Sequence, residues 1–390
     1  MKANSALGFE PDGALGVYVH VPFCDRRCAY CDFDIAVRRS IPHAPYLDAL
    51  LRELALRAAE FEGMSARSFY VGGGTPSLWD PNCLDALLRR LEERFGVPEE
   101  ITCEANPESF GLELAHRWKE SGVNRISLGI QSLSSSLLKQ LRRHHSPEQA
   151  LAAVEAARRA GFEHISADLI FGLPNQRVAD FERDLETLCA SGIDHLSTYE
   201  LTIEPQTPLW RRRARGHVVA AGEDETLVMF ERLDEALPAG FHRYEVSNSA
   251  KWGGWSRHNL LYWLGGQYLG LGMGAHSLSR TRGGASVRSA NGRDLKHYLS
   301  APFPTFKEDL SPAVHLAERL FLPLRTHFSV DLDRLEAEFG KPLVESFSSA
   351  LHALTKDGLI EWESPRELLS TKRGRALHNA LSAVIFDAVP

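Results

Sequence analysis

The 390-residue chain is poor in cysteine, has no long apolar run and carries no excess of positive charge. Six cysteines at this length fall far short of a disulfide scaffold. No apolar stretch approaches the ~20 residues that a membrane-spanning helix needs. The N-terminal MKANSALGFEPDG has no hydrophobic signal core. Lys+Arg number 44 against 51 Asp+Glu, a net charge of −7, which argues against a general nucleic-acid binder. These absences predict a cytoplasmic protein without a membrane span. Apolar and charged fractions of 44% and 24% are those of a globular chain long enough for one large and one smaller domain.

Half of the scarce cysteines are gathered in one place. Cys24, Cys28 and Cys31 form C-x3-C-x2-C within VHVPFCDRRCAYCDFDIAV (19–37). In a reducing compartment a tight trio points to metal binding or redox chemistry. Three thiolates can hold three irons of a [4Fe–4S] cluster and leave the fourth iron open. With His20 or Asp32 as a fourth ligand they could instead complete a zinc site, and spacing alone leaves both readings standing. Cys83, Cys103 and Cys189 are scattered over helix- and strand-like stretches and read as small buried hydrophobes.

From Val17 to about Val246 short apolar runs alternate with amphipathic helices. The strand-like runs are 17–23, 68–74, 101–107, 125–132, 164–172 and 195–203. Between them, 81–95 places Leu84, Leu87, Leu88, Leu91 and Phe95 on one helical stripe, with Asp80 and Pro81 as N-cap and first-turn pair. Helices are also predicted at 46–61, 147–161 and 177–192. Six such repeats imply a parallel sheet with crossover helices. Each strand ends in groups that a core would not want, and a partial (β/α)6 barrel gathers these onto one mouth. The expected division is a core over 1–250, a Gly- and aromatic-rich segment over 251–305 without clear helical period, and a C-terminal winged-helix-like domain over 306–390. Few cations mark the would-be recognition helix of that last domain, so DNA reading is not expected. The run WRRRARGH (210–217) reads as a solvated helix end.

The motif CDRRCAYC, with an aromatic before its last cysteine, resembles the signature of the radical S-adenosylmethionine (SAM) enzymes. The resemblance implies a [4Fe–4S] cluster on Cys24, Cys28 and Cys31 whose open iron is chelated by SAM. YVGGGTPS (70–77) resembles the family's glycine-rich SAM-binding motif and implies Gly73, Gly74 and Thr75 as contacts. The likeness then extends over nearly the whole chain to the coproporphyrinogen III oxidase-like branch, HemN and HemW. It is carried by GGGTPS, CEANPES (103–109), SLGIQS (127–132), LRRHHSPEQA (141–150), DLIFGLPNQ (168–176) and YELTIEPQTPL (199–209). It implies that Glu104, Gln131, Arg143 and Asp168 contact SAM, with Tyr18 beside the cluster. Asp168 suits ribose hydroxyls and Arg143 a carboxylate.

Two departures from HemN point toward HemW. HemN continues its cysteine motif as C-x-C, where this chain has Phe33, and HemN carries a long extension before the cluster, where this chain has 23 residues before Cys24. HNLLYW (258–263) matches the HNxxYW motif of HemW, which implies His258 as a haem ligand, with Tyr262 and Trp263 able to stack on a porphyrin. GLGMGA (270–275) lacks the frame of a dinucleotide fingerprint and reads as a turn. The resemblance thus implies a haem chaperone that binds a [4Fe–4S] cluster, SAM and haem and delivers haem to an acceptor protein, respiratory in one reading. Cluster-dependent homodimerisation and peripheral membrane association are further implied partners. The alternative is an oxygen-independent coproporphyrinogen III oxidase.

Overall fold

Six apolar runs become six neighbouring parallel strands: β1 (Leu15–Val21), β2 (Ala66–Gly73), β3 (Glu100–Ala105), β4 (Arg125–Gln131), β5 (His164–Phe171) and β6 (His195–Glu200). Each pairs in parallel with the next. The computed structural model describes residues 13–280 and 285–389, so residues 1–12 of the stretch examined for a signal core lie outside it. Among the described residues no helix is long and apolar enough to cross a membrane.

The crossovers are helical where the apolar period predicts. They include α1 (His43–Arg57), α2 (Pro81–Phe95), α3 (Leu112–Glu120), α4 (Ser135–Leu141), α5 (Pro147–Arg159) and α6 (Val178–Ala190). In α2 the whole leucine stripe and Phe95 are buried, and the Asp80 carboxylate accepts from the Asn82 N–H at 2.8 Å. The run around Trp210 forms α7 (Pro208–Ala214), followed by α8 (Glu223–Ala236). Cys83, Cys103 and Cys189 are all buried.

The segment after Val246 is more ordered than its composition suggests. A hairpin of β7 (Phe241–Arg243) and β8 (Asn248–Lys251) continues the sheet antiparallel beyond β6. HNLLYW is helical, as α9 (Arg257–Trp263); at seven residues it is too short to display a period. Its first turn is held by the Glu100 carboxylate at the start of β3, which accepts from the Arg257 and His258 N–H groups at 3.0 and 2.9 Å. Next, β9 (Gln267–Leu271) pairs in parallel with the outer side of β1. The antiparallel strands β10 (His276–Arg280), β11 (Ser286–Asn291) and β12 (Pro304–Leu310) extend that edge. Among the described residues the sheet order is β12-β11-β10-β9-β1-β2-β3-β4-β5-β6-β8-β7, open at both ends.

After α10 (Leu295–Ser300), α11 (Pro312–Phe321) opens a C-terminal unit with its own apolar core. Helices Leu332–Phe339 and Ser348–Lys356 precede the hairpin Ile360–Ser364 and Glu367–Ser370, the helix–helix–hairpin order expected of a winged-helix module. Two helical stretches of this unit are each interrupted. Lys341–Glu345 is separate from Ser348–Lys356, and Lys372–Ala376 from His378–Phe386.

The outer strands are tied to the barrel by one buried carboxylate. Glu53 of α1, fully buried, accepts from the Gly272 N–H (2.9 Å), the Asn291 amide (2.7 Å) and the Tyr298 hydroxyl (2.7 Å), and it pairs with buried Arg57. It thus joins α1 to the turn after β9, to β11 and to α10. Removing one partner of a buried, hydrogen-bonded ion pair costs about 3–5 kcal/mol. Glu53→Ala is expected to lower unfolding free energy by that amount in urea denaturation, with the 267–300 region showing the largest gain in amide exchange.

Candidate functional site

At the C-terminal ends of β1–β6 lies a cavity of about 340 Å³. Its wall includes Cys24, Cys28, Cys31, Gly73, Gly74, Thr75, Glu104, Asn106, Gln131, Arg143, Asp168 and Tyr199. All twelve residues singled out in the sequence line a cavity at this mouth or in the barrel below it; of these, Tyr18 and His258 line only the lower one. Gln131 ends β4 at a register shift and holds a left-handed backbone (φ 70°), an uncommon state for a residue with a side chain and one that bends the strand end at the mouth.

The glycine run brings the cysteine loop onto the sheet. The Gly74 N–H donates to the Val21 carbonyl at 2.8 Å, and a Cβ on Gly74 would lie 2.6 Å from the Pro22 carbonyl carbon. Gly73 has φ 113°, and a Cβ there would meet the His20 ring at 2.5 Å. The close approach that requires glycine here is therefore between two backbone segments of the protein. Its consequence is that Cys24 sits beside Thr75.

A chain of polar contacts then links two of the thiols. The Asn106 amide donates to Thr75 Oγ1 at 3.1 Å, which leaves the Thr75 hydroxyl hydrogen for Cys24 Sγ at 3.4 Å. Arg143 Nη2 donates to Asn106 Oδ1 at 2.8 Å and to the Gly129 carbonyl at 2.6 Å, while Nη1 reaches Cys28 Sγ at 3.7 Å. Arg143 Nε is buried without a hydrogen-bond partner. Asn106 is the central member, and its only signal in the sequence was a polar residue at a strand end. Among the described residues no three His, Cys, Asp or Glu side chains are arranged to hold a single metal ion. His20, considered above as a zinc ligand, has both ring nitrogens engaged, Nδ1 with the Tyr18 hydroxyl (2.9 Å) and Nε2 with the Asp34 carbonyl (2.8 Å). Thiolates that each meet a different iron have no need to converge on one point, so the donor set suits a cluster better than a lone zinc. Burial pushes the Cys24 thiol up to about 11, against the lowering effect of the Thr75 contact.

The floor of this cavity is acidic. Glu104 accepts from the Tyr70 hydroxyl at 2.7 Å and from the Gly73 N–H at 3.0 Å, and burial raises its pKa. Burial, with Glu104 nearby, raises Asp168 to about 7 despite bonds from Ser197 and Ser127.

Beneath that floor is a second cavity of about 670 Å³, which shares Glu104 and Tyr199 with the first. It reaches from the barrel interior past α9 to α11 and is lined by Tyr70, Tyr262, Trp263, Tyr268, Arg288, His315 and Arg319 among others. Two expectations change here. Tyr18 lines this cavity and not the cysteine cavity, because it lies mid-strand, three residues before β1 ends at Val21. His258 is buried and has no free ring nitrogen: Nδ1 bonds Ser68 Oγ at 2.8 Å and Nε2 bonds the Tyr262 hydroxyl at 2.7 Å. Burial lowers its pKa to about 3, so the ring is neutral. Tyr70 stacks on it at 5.0 Å.

Fold and site define a class. Residues 18–188 match the Radical SAM superfamily, and residues 310–377 match the HemN C-terminal domain. The fold is that of the solved structure reported as "Coproporphyrinogen III oxidase (HemN) from Escherichia coli is a Radical SAM enzyme". The two superpose with a TM-score of 0.80 at 23% identity, over 98% of this chain and 92% of that one. Curated relatives called "Heme chaperone HemW" are more similar in sequence. The Mycobacterium tuberculosis H37Rv protein is 37% identical over 95% of this chain and 94% of its own length. The Bacillus subtilis protein is 34% identical over 93% and 96%, and the Escherichia coli K12 protein 35% over 76% and 78%. The chain belongs to the HemW family of radical SAM proteins.

Asp168 gives this site a pH signature. Its folded pKa of about 7 exceeds the ordinary 3.8, so between those values the folded state binds more protons than the unfolded state. Stability of the ligand-free protein therefore falls as pH rises from about 4 to 7. Asp168→Asn is expected to flatten that slope and to stabilise the protein above pH 7 by about 2–4 kcal/mol, measured by urea denaturation at pH 5 and pH 8.

Proposed function

We propose that this protein is a cytoplasmic haem chaperone that holds a [4Fe–4S] cluster on Cys24, Cys28 and Cys31, binds SAM in the first cavity and haem in the second, and passes haem to an acceptor protein. The observation that carries this reading is the pair of cavities with a common wall of Glu104 and Tyr199. The upper cavity has three thiols and a buried arginine for a cluster and a carboxylate. The lower has the volume of a small-molecule site, aromatic walls and two arginines. The names of the curated relatives point the same way.

The cluster, when bound, supplies an open iron for the amino and carboxylate groups of SAM. This chain's own residues do the rest. Arg143 supplies charge for a carboxylate, Asp168 accepts from ribose hydroxyls once deprotonated, and Gly73, Gly74, Thr75, Glu104 and Gln131 shape the pocket. Tyr18 and His258 belong to the haem side. There His258 braces Ser68, Tyr70 and Tyr262. Residues 1–250 form the radical SAM core, 251–305 close the haem cavity, and 306–390 cover it. Dimerisation through the cluster and a peripheral meeting with a membrane-bound acceptor complete the reading.

The test is anaerobic reconstitution followed by two assays, turnover of coproporphyrinogen III with SAM and a reductant, and spectroscopic titration with haem. Saturable haem binding without turnover is expected, and formation of protoporphyrinogen would establish the oxidase instead. A Cys24→Ala/Cys28→Ala/Cys31→Ala variant is expected to lose the cluster's iron and visible absorbance yet bind haem within about threefold of the parent, a shift of less than ~0.7 kcal/mol, because none of the three cysteines lines the second cavity.

A further inference from the structure

A separate cavity of about 240 Å³ shares no lining residue with the two described above. It lies at the seam between the antiparallel edge of the barrel and the C-terminal unit. Phe230 and Asp234 of α8 and Arg243 of β7 line one side, and His327, Lys372 and Arg375 of the C-terminal unit line the other. Backbone bonds close the seam beside it: the His327 N–H donates to the Tyr244 carbonyl at 3.0 Å and the Val246 N–H to the Arg325 carbonyl at 3.2 Å.

Charge in this cavity is unbalanced. Arg243, Lys372 and Arg375 line it against the single carboxylate of Asp234, in a chain whose net charge is −7. Asp234 stands 3.5 Å from Arg243 Nη1 and 3.6 Å from Lys372 Nζ, longer than a charge-assisted hydrogen bond to either. Buried Glu245, which also acts on Arg243, is engaged by Arg325 at 2.9 Å. Donors are left over as well. Arg243 is held in place, with Nε and Nη2 donating to the Val246 carbonyl and its guanidinium 4.1 Å over the Phe230 ring. Arg375 uses only Nη1, which donates to the Ser370 carbonyl at 2.6 Å and reaches its hydroxyl at 3.4 Å. Its Nε and Nη2 have no partner among the described residues, and neither is sealed from solvent. Burial, then Arg375, lowers the pKa of His327 to about 4, with Asp234 offsetting only part, so the ring is neutral. Burial also lowers the pKa of Arg243 and of Arg375. A negative charge in the cavity would relieve all three groups.

We infer that this cavity binds a phosphate group, with hydrogen bonds from Arg375, Lys372 and His327 and Arg243 behind it. Three cations against one carboxylate leave an excess that a dianion balances. A guanidinium with two N–H edges to spare suits phosphate oxygens. Because the donors come from both sides of the seam, bound phosphate would hold the C-terminal unit against β7 and α8. That unit also supplies α11 to the wall of the second cavity, so occupancy here would steady that wall.

The test is titration of the full-length protein with inorganic phosphate, followed by calorimetry and melting at constant ionic strength balanced with sodium chloride. Variants are Lys372→Gln, Arg375→Gln and Arg373→Gln; Arg373 is an exposed cation on the same helix that does not line the cavity. The parent is expected to bind phosphate at one saturable site and to melt higher as the site fills. Lys372→Gln and Arg375→Gln are each expected to weaken binding about tenfold or more, the scale of one charged hydrogen bond. Arg373→Gln is expected to keep the parent's affinity within about twofold, as an exposed and screened charge should. The NMR titration of His327 is expected to move to higher pH with saturating phosphate, since a nearby anion favours the imidazolium. Glycerol 3-phosphate separates two sources of the group: tighter binding than inorganic phosphate assigns a phosphate ester, and equal or weaker binding the free anion. A parent that responds to phosphate no more than to chloride overturns the site. So does parent affinity in folded Lys372→Gln, a loss in Arg373→Gln as large as in Lys372→Gln, or a His327 titration that phosphate leaves unmoved. Lys372 is exposed, so its substitution keeps the test readable if Arg375→Gln does not fold.

Discussion

Everything at the mouth of the barrel depends on how closely the GGGT turn lies against the exit of β1. With no side chain on Gly74, the Pro22–Phe23 backbone rests on the end of β2, and the hydrogen bond from Gly74 to Val21 fixes the register. That contact sets Cys24 beside Thr75, and the polar chain through Asn106 and Arg143 then reaches Cys28. Four separate β/α units thus supply one connected set of groups. A side chain at Gly74 would push the cysteine loop away and uncouple the set.

A second column runs through the barrel beneath it. Ser68, His258, Tyr70 and Glu104 follow one another through hydrogen bonds and a stacked pair, from the start of β2 to the Gly73 N–H at its end. The column connects the α9 motif to the glycine run, although some 185 residues of chain separate them. It also explains why His258 is buried and neutral: the ring serves as a structural partner for three neighbours.

Much of the fold was legible because its signals are local. The stripe of α2, its Asp80 cap and the six strand positions follow from periodicity, and the observed bounds differ by only a few residues. The three-cysteine spacing and the polar strand ends likewise marked the upper cavity. The segment 251–305 was not legible. Its helix is shorter than two turns, and its strands are read as strands only because β1 has a free edge for β9 to join. The interruptions in the two C-terminal helical stretches also left no clear mark in their apolar patterns.

The sequence by itself determined which groups are gathered locally, since three thiols four and three residues apart, a glycine turn and alternating apolar periods are short-range facts. Only the tertiary structure decided which ring nitrogens have partners. Hydrogen bonds between residues far apart in the chain occupy both nitrogens of His258, while the packing of α11 leaves one nitrogen of His315 without a partner. Such partnerships depend on where side chains meet in space, and no spacing along the chain records them.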